Sequence, residues 1–397
     1  MRVLDLCNRA DLNAELARVG ADRECWDTFA AKRGVLAIGI PELSTATANI
    51  LKQTALVAGG DCAVHHSVVS GRVRRSDAVL FVTPRQLDGV LVRLKSQPAC
   101  VACLASELEQ LGERYIRPAL PIRLGDRVVD LARRTYVMGI VNVTPDSFSD
   151  GGRFLDPAAA VAQALRMQDE GADFIDIGAE STRPGAEPVR AAVQLKRLLP
   201  VLTRVRRGIK IPVSVDTTSA RVAELAIAEG ALMVNDVSAL RFDRRMPRVV
   251  ARTRVPCVVM HMQGQPRTMQ RNPRYRNLMA EVAAFLDDAV ARGERAGIER
   301  SQLIIDPGIG FGKTREHNLE ILRRLRELRS LGLPVLVGPS RKRFVGETLK
   351  LGVSDRLEGT LAACVMAARN GANIVRVHDV RATVRALKLA DAIAGRN

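Results

Sequence analysis

From Tyr136 onward, short apolar runs and amphipathic stretches alternate eight times. The runs lie at 137–143, 174–179, 212–217, 233–237, 257–261, 303–308, 335–340 and 374–379, and each is apolar almost to its end. A strand without polar alternation is one covered on both faces, as in a parallel sheet flanked by helices. Between the runs, stretches such as Pro157–Glu170, Ala220–Glu229 and Glu316–Arg329 repeat apolar residues at helical spacing. Eight strand-helix units in succession predict an α/β fold, a (β/α)8 TIM barrel.

Residues 1–120 follow another pattern. Helical signals at Asp11–Arg18, Asp22–Lys32, Ser44-Thr45 to Val57, Pro84–Leu94 and Ala102–Leu111 are interspersed with strand signals at Val35–Ile40, Val64–Val69 and Ala78–Val82. This predicts a small α+β N-terminal domain over 1–120 and a barrel over 121–397. At the junction, Pro121–Leu131 holds two short strand patterns flanking Gly125-Asp126, a type I′ hairpin signal. Such a hairpin is suited to plugging the bottom of a barrel.

Hydrophobic residues make up 47% and charged residues 26% of the 397, a globular balance. There is no apolar run of membrane-spanning length and no secretory apolar segment behind Met1, so a soluble, cytoplasmic protein is expected. Seven scattered cysteines then read as reduced thiols. The single CxxC, Cys100 and Cys103, lacks a second ligand pair for zinc, and is expected to be core on an apolar helix face. The net charge of +17 invites a nucleic-acid reading, but residues 1–120 hold 15 basic against 13 acidic residues, so the excess lies in the barrel. With only 3% aromatic residues, stacking platforms for single strands are scarce. A basic barrel that draws in an anionic small substrate is the better reading, with no specific nucleic-acid partner and no membrane.

The chemistry gathers at the strand ends, which carry Asn142, Glu180-Ser181-Thr182-Arg183, Asp216-Thr217, Asn235-Asp236, His261, Asp306, Ser340-Arg341-Lys342, and Arg376 with His378-Asp379. In a (β/α)8 barrel these ends share one rim, the catalytic face. A single charged strand end is usually a solvated loop; eight in succession point to a site. Asp216, Asn235, Asp306 and Lys342 together suit a heterocycle with an amide-guanidine edge, since carboxylates accept from N–H, Asn does both, and Lys donates to a carbonyl. Arg183, Arg376 and His378 suit a phosphate or pyrophosphate.

The motifs NVTPDSFSDGG (142–152), GAESTRPG (178–185), VDT (215–217), NDVSA (235–239), MHMQG (260–264), DPGIGFGK (306–313), SRK (340–342) and RVHD (376–379) occur in an order that resembles dihydropteroate synthases, over about two thirds of the chain. The resemblance implies condensation of 6-hydroxymethyl-7,8-dihydropterin pyrophosphate with p-aminobenzoate in folate biosynthesis. It implies that Asn142 binds the Mg²⁺ accompanying the pyrophosphate, and that Asp216, Asn235, Asp306 and Lys342 hold the pterin with Met260 against its ring. Arg183, Arg376 and His378 would hold pyrophosphate. Thr182, Pro184, Phe148, Phe311, Lys342 and Ser340 would frame the p-aminobenzoate site. Arg183, Asp216, Asp306 and Lys342 are the residues on which catalysis would rest, and the family implies a homodimer. Two alternatives stay open, a pterin-binding methyltransferase and a catalytically silent homologue.

Overall fold

The computed structural model describes Leu4 and residues 9–32, 34–116, 118, 120–144, 157–180, 187–265 and 267–395. It divides into two compact units, Met1–Arg117 and Pro118–Asn397. Among the described residues no helix is long and apolar enough to cross a membrane.

The first unit contains α1 (Arg9–Arg18), α2 (Trp26–Ala30), β1 (Leu36–Ser44), α3 (Thr45–Val57), β2 (Asp61–Val64), β3 (Arg75–Val82), α4 (Pro84–Lys95) and α5 (Ala99–Ile116). Its antiparallel sheet runs in the order β1-β3-β2. Along β3 every second residue is buried, and that face packs with α3, α4 and α5 around Leu51, Leu80 and Leu94. Ser44 caps α3 by accepting from Thr47 N–H, and Thr83 with Gln86 forms a capping box before Pro84.

Three expectations for these regions need correction. The strand signal at Val64–Val69 ends at Val64, because His65 Nδ1 accepts from Ser67 N–H at 3.1 Å and turns the chain into a short 3-10 segment. Cys100 and Cys103 are exposed, not core. The stripe that α5 buries is Val101, Leu104, Ala105, Leu108 and Gly112, which leaves both thiols outside it. The helix expected over Asp22–Lys32 begins as a 3-10 turn at Arg23–Cys25 and becomes α-helical only over Trp26–Ala30.

The second unit opens with a hairpin, β4 (Pro121–Leu124) and β5 (Arg127–Asp130). Its turn carries a positive φ at Gly125 (61°) but not at Asp126, the pattern of a II′ turn instead of the I′ turn expected. The barrel strands follow, β6 (Tyr136–Asn142), β7 (Phe174–Gly178), β8 (Val213–Asp216), β9 (Met233–Asp236), β10 (Cys257–Met260), β11 (Leu303–Asp306), β12 (Leu336–Val337) and β13 (Ile374–Val377). Helices α6 (Pro157–Asp169), α7 (Ala191–Gly208), α8 (Ala220–Ala228), α9 (Met246–Thr253), α10 (Leu278–Arg295), α11 (Arg315–Arg324), α12 (Arg343–Leu349), α13 (Leu357–Arg369) and α14 (Val380–Ile393) return the chain between them. The strands are parallel in the order β11-β10-β9-β8-β7-β6-β13-β12. A bridge between Ile305 and Val335, with Ile305 N–H donating to Pro334 O at 2.9 Å, closes the ring.

The hairpin does fill the bottom of the barrel. Leu120, Ile122, Leu124 and Leu131 pack against the inward residues Met138, Phe174, Met233, Val258, Ile304, Leu336 and Ile374. Each such buried apolar side chain contributes about 1.5–3 kcal/mol. A chain beginning at Pro118 is therefore expected to melt cooperatively, whereas one beginning at Ala132 opens the floor and loses the transition. Thermal denaturation followed by circular dichroism checks both.

Candidate active site

Side chains alternate along a strand, so the position two residues above each floor residue points into the lumen again. From Phe174, Met233, Val258, Ile304 and Ile374 that step leads to Asp176, Asn235, Met260, Asp306 and Arg376. Asp216 on β8 and, further up, Asn142, Ser340 and His378 complete the ring. An apolar floor thus gives way within one pleat to a polar layer.

Arg376 is the centre of that layer. Its Nε donates to Asp176 Oδ2 at 2.6 Å and its Nη2 to Asp216 Oδ2 at 2.8 Å, while Asn235 Nδ2 donates to Asp176 Oδ2 at 2.9 Å. Burial opposes the charge on Arg376, but Asp176 and Asp216 outweigh it and hold the guanidinium above its ordinary value. Two carboxylates share one cation. Burial, only partly offset by Arg376 and reinforced by Asp176, pushes Asp216 up to about 7. Asp306 is pushed up to about 6 by burial, against the Gly308 N–H and the charge of Lys342. Both are carboxylates whose burial is incompletely compensated by neighbouring charge, and Asp176 Oδ1 beside them is buried without a hydrogen-bond partner; a ligand rich in N–H groups suits such a layer.

The loop after β11 is laid flat against the end of β10. Gly308 has φ of 67°, and a Cβ there would stand 1.9 Å from His261 O, so no other residue fits. Gly308 N–H donates to Asp306 Oδ1 at 2.7 Å and fixes that carboxylate. Phe311 is carried to the lumen, where Lys342 Nζ sits 4.3 Å from its ring centroid. Beneath it Lys313, 3% exposed, reaches His261 Nδ1 at 2.8 Å and Phe311 O at 2.9 Å. Burial lowers Lys313 to about 7, and burial together with Lys313 lowers His261 to about 2, so the imidazole is neutral.

Opposite, Ser340 Oγ accepts from His378 N–H at 3.2 Å and lies 3.0 Å from its Nδ1. Burial, with Arg376 and Arg341 nearby, lowers His378 to about 4. In the tautomer in which Ser340 O–H donates to Nδ1, the neutral ring is left with Nε2–H as a hydrogen-bond donor without charge. Arg341, in the left-handed region at φ of 55°, pairs with Asp379 through bonds of 2.5 and 3.0 Å and ties the SRK loop to the end of β13.

These groups line a cavity of about 1110 Å³ that reaches from Asn142 past Asp216, Phe311 and Lys342 to Ser340, Arg376 and His378. A narrow slot at its base is bounded by Asp216, Asn235, Met260, Asp306, Phe311, Lys342 and Arg376.

The family described as pterin binding enzymes matches residues 138–378. A dihydropteroate synthase from Synechocystis sp. is 46% identical over 288 residues, spanning 72% of this chain and 99% of that protein. The chain belongs to the dihydropteroate synthase family. The Escherichia coli dihydropteroate synthase is 45% identical over 257 residues, 65% of this chain and 91% of its own length. Among solved structures, a Xanthomonas albilineans dihydropteroate synthase with 4-aminobenzoic acid is 46% identical, with a TM-score of 0.65 over 69% of this chain and 98% of that one. The same organism's dihydropteroate synthase in complex with 7,8-dihydropteroate is 44% identical, with a TM-score of 0.62 over 69% of this chain.

Of the site residues expected for a dihydropteroate synthase, Asn142, Asp216, Asn235, Met260, Asp306, Phe311, Ser340, Lys342, Arg376 and His378 all reach the cavity or its slot. Phe148, Thr182, Arg183 and Pro184 lie outside the described residues. Arg376, expected on pyrophosphate, is committed first to two carboxylates of the lumen. Asp236, another strand-end carboxylate, points away from the lumen and accepts from Ser238 and Leu240 N–H, both at 2.8 Å, to fold the turn after β9. Sequence reasoning missed Asp176 and Lys313. A charged residue at an inward position of the apolar run FIDIG was the available signal for the first.

Proposed function

We infer that this chain is a transferase of folate biosynthesis, condensing 6-hydroxymethyl-7,8-dihydropterin pyrophosphate with p-aminobenzoate to give 7,8-dihydropteroate and pyrophosphate. The convergence of Asp216, Asn235, Asp306 and Lys342 on one slot beside Met260 carries this reading. Buried carboxylates raised towards neutrality accept from the pterin's N–H edge, Asn235 reads a mixed donor and acceptor pair, and Lys342 donates to the ring carbonyl or nitrogen. Met260, 2% exposed, supports the flat ring.

As the C–O bond to pyrophosphate breaks, the electron-rich ring spreads the positive charge left on the methylene. Asp216 and Asp306, lining the slot proposed for the ring, are assigned to stabilise that charge. Arg183, Arg376 and His378 are assigned to the leaving anion, Arg376 while it also holds Asp176 and Asp216. The neutral amine of p-aminobenzoate then attacks the methylene carbon and afterwards loses its extra proton to solvent, so no general base is required. Phe311, Lys342 and Ser340, with Phe148, Thr182 and Pro184 on the two segments outside the described residues, are assigned to the aryl amine.

The reading includes Mg²⁺. Among the described residues no group of three His, Cys, Asp or Glu could hold a metal ion. A lone hard oxygen from Asn142, at the cavity wall, fits an ion that keeps several waters and arrives with its phosphates. Bound there, Mg²⁺ would neutralise charge on the departing pyrophosphate. A cytoplasmic homodimer belongs to the same reading and rests on the family likeness. Pyrophosphate release, measured with and without p-aminobenzoate, tests it. Release that depends on the amine and yields dihydropteroate is expected; methyl transfer from methyltetrahydrofolate without such release would overturn it.

A further inference from the structure

The carbonyls of the loop after β11 are bonded one after another by side-chain donors. Gln270 Nε2 donates to Gly310 O at 2.7 Å, Lys313 Nζ to Phe311 O at 2.9 Å, and Tyr275 O–H to Gly312 O at 2.8 Å. On the donor side, Gly310 N–H goes to Asn318 Oδ1 at 2.7 Å, and Phe311 N–H to Gly308 O at 3.1 Å. Such bonding immobilises a backbone that three positive-φ glycines would otherwise leave loose, Gly308, Gly310 and Gly312.

One of these donors is of an unexpected kind. A neutral amide or hydroxyl would satisfy a carbonyl, yet Phe311 O is met by a lysine that is 3% exposed. Burying an ammonium is costly unless its donors are engaged. Lys313 engages two of them, Phe311 O and His261 Nδ1, and His261 is itself held edge-on by Phe285 at 4.8 Å between ring centroids. His261 belongs to the end of β10 and Phe311 to the loop after β11, so the lysine rivets one rim segment to the next. Directly above the rivet, Phe311 carries its ring against Lys342 Nζ. Lys313 also lines the cavity, where its charge faces Asp306.

We propose that Lys313 is a positioning residue for the aryl-amine half of the site, fixing Phe311, and through it Lys342, by bridging His261 to the Phe311 carbonyl. Its Nζ is engaged by His261 Nδ1 and Phe311 O, so the role assigned to it is to hold the loop and not to act on the reacting bonds. The inference deepens the synthase reading and rests on it for the identity of the amine, while the state of the loop is measurable without turnover.

Lys313→Met keeps the length and apolar stem of the side chain and removes its donors. Amide hydrogen exchange should then speed up about tenfold over residues 308–313, the scale of one lost hydrogen bond to a charged donor, with β11 and β10 still protected. In steady-state kinetics the KM for p-aminobenzoate should rise about tenfold and the KM for the pterin substrate by a smaller factor, since Phe311 and Lys342 also bound the slot assigned to the pterin, with kcat changed much less. In a Phe311→Ala background the same substitution should add little, because the residue it positions is gone. Tyr275→Phe, which removes the neighbouring donor from Gly312 O and keeps the ring, should move exchange and the amine KM in the same direction by a smaller factor, and it serves where Lys313→Met folds poorly. Unchanged exchange over 308–313 in Lys313→Met, or effects of Lys313→Met and Phe311→Ala that simply multiply, would overturn the proposal. A wild-type enzyme without turnover would instead count against the synthase reading, and the exchange result would still decide for or against the clamp.

Discussion

Replacing Arg376 by Met is expected to destabilise the second unit by about 3–5 kcal/mol, the cost of leaving buried charge without its partner. Arg376 holds Asp176 and Asp216 together in the lumen, with its own side chain only 19% exposed. Without the guanidinium, two carboxylates share a site from which water is largely excluded, and one of them must take up a proton. The pH dependence follows from Asp216. Its value in the folded protein, about 7, lies above its ordinary 3.8, so the folded state binds the proton more tightly than the unfolded one. Protonation therefore favours folding; loss of Arg376, which lowers Asp216, raises that value further, so the deficit of the variant should be larger at pH 8 than at pH 5 and shrink as pH falls through about 7. Urea denaturation at the two pH values measures it, and the same midpoint as wild type at pH 8 would contradict the assignment. Turnover should fall with stability, because Asp216 also lines the slot proposed for the pterin. An Arg376 that served only to bind pyrophosphate would lose activity with no loss of stability, which separates the role expected from sequence from the one its bonds imply.

The partners of Arg376 show where sequence stops being informative. The eight strands were legible because a parallel strand buried on both faces leaves an apolar run, and the rim was legible because each run ends in a polar group at the same relative place. Asn142, Asp216, Asn235, Asp306 and His378 could be named from that alone. Partnership could not. Arg376 and Asp176 are 200 positions apart, and their meeting depends on β13, β6 and β7 lying side by side in register. Asp236 illustrates the opposite failure, because a strand-end carboxylate next to Asn235 reads as part of the site until the pleat turns it outward to fold its own turn. Cys100 and Cys103 were placed in the core by their apolar neighbours, but a one-residue rotation of the buried stripe along α5 leaves both outside. His65 ended a strand through a side-chain bond that propensity does not register. Lys313 gave no signal as a clamp, since a lysine after FG reads as a solvated or phosphate-binding group until its burial is known.

Asp306→Asn should separate stability from binding. The ionised carboxylate is 6% exposed and raised to about 6 from 3.8, so its burial costs about 3 kcal/mol above pH 6. Here too the folded value exceeds the unfolded one, so that cost is constant above about pH 6 and is relieved as pH falls from 6 towards 3.8. Asn keeps the shape, and its Oδ1 can still accept from Gly308 N–H, the bond now 2.7 Å long. With no charge to bury, the ligand-free variant should be more stable than wild type by about 1–3 kcal/mol at pH 8, and the gain should vanish near pH 4. Binding should move the other way. The pterin edge presents N–H donors, and the Asn amide would set an N–H against them where the carboxylate accepted. A donor left facing a donor in a buried slot costs about 2–4 kcal/mol, so affinity for the pterin pyrophosphate should drop by between about thirtyfold and a thousandfold. Calorimetric titration with the pterin substrate, set beside thermal melts at pH 8 and pH 4, reads both halves. Unchanged affinity would remove Asp306 from the pterin site, and a variant less stable than wild type at pH 8 would mean that Lys342, Lys313 and the Gly308 amide already compensate the charge without a ligand.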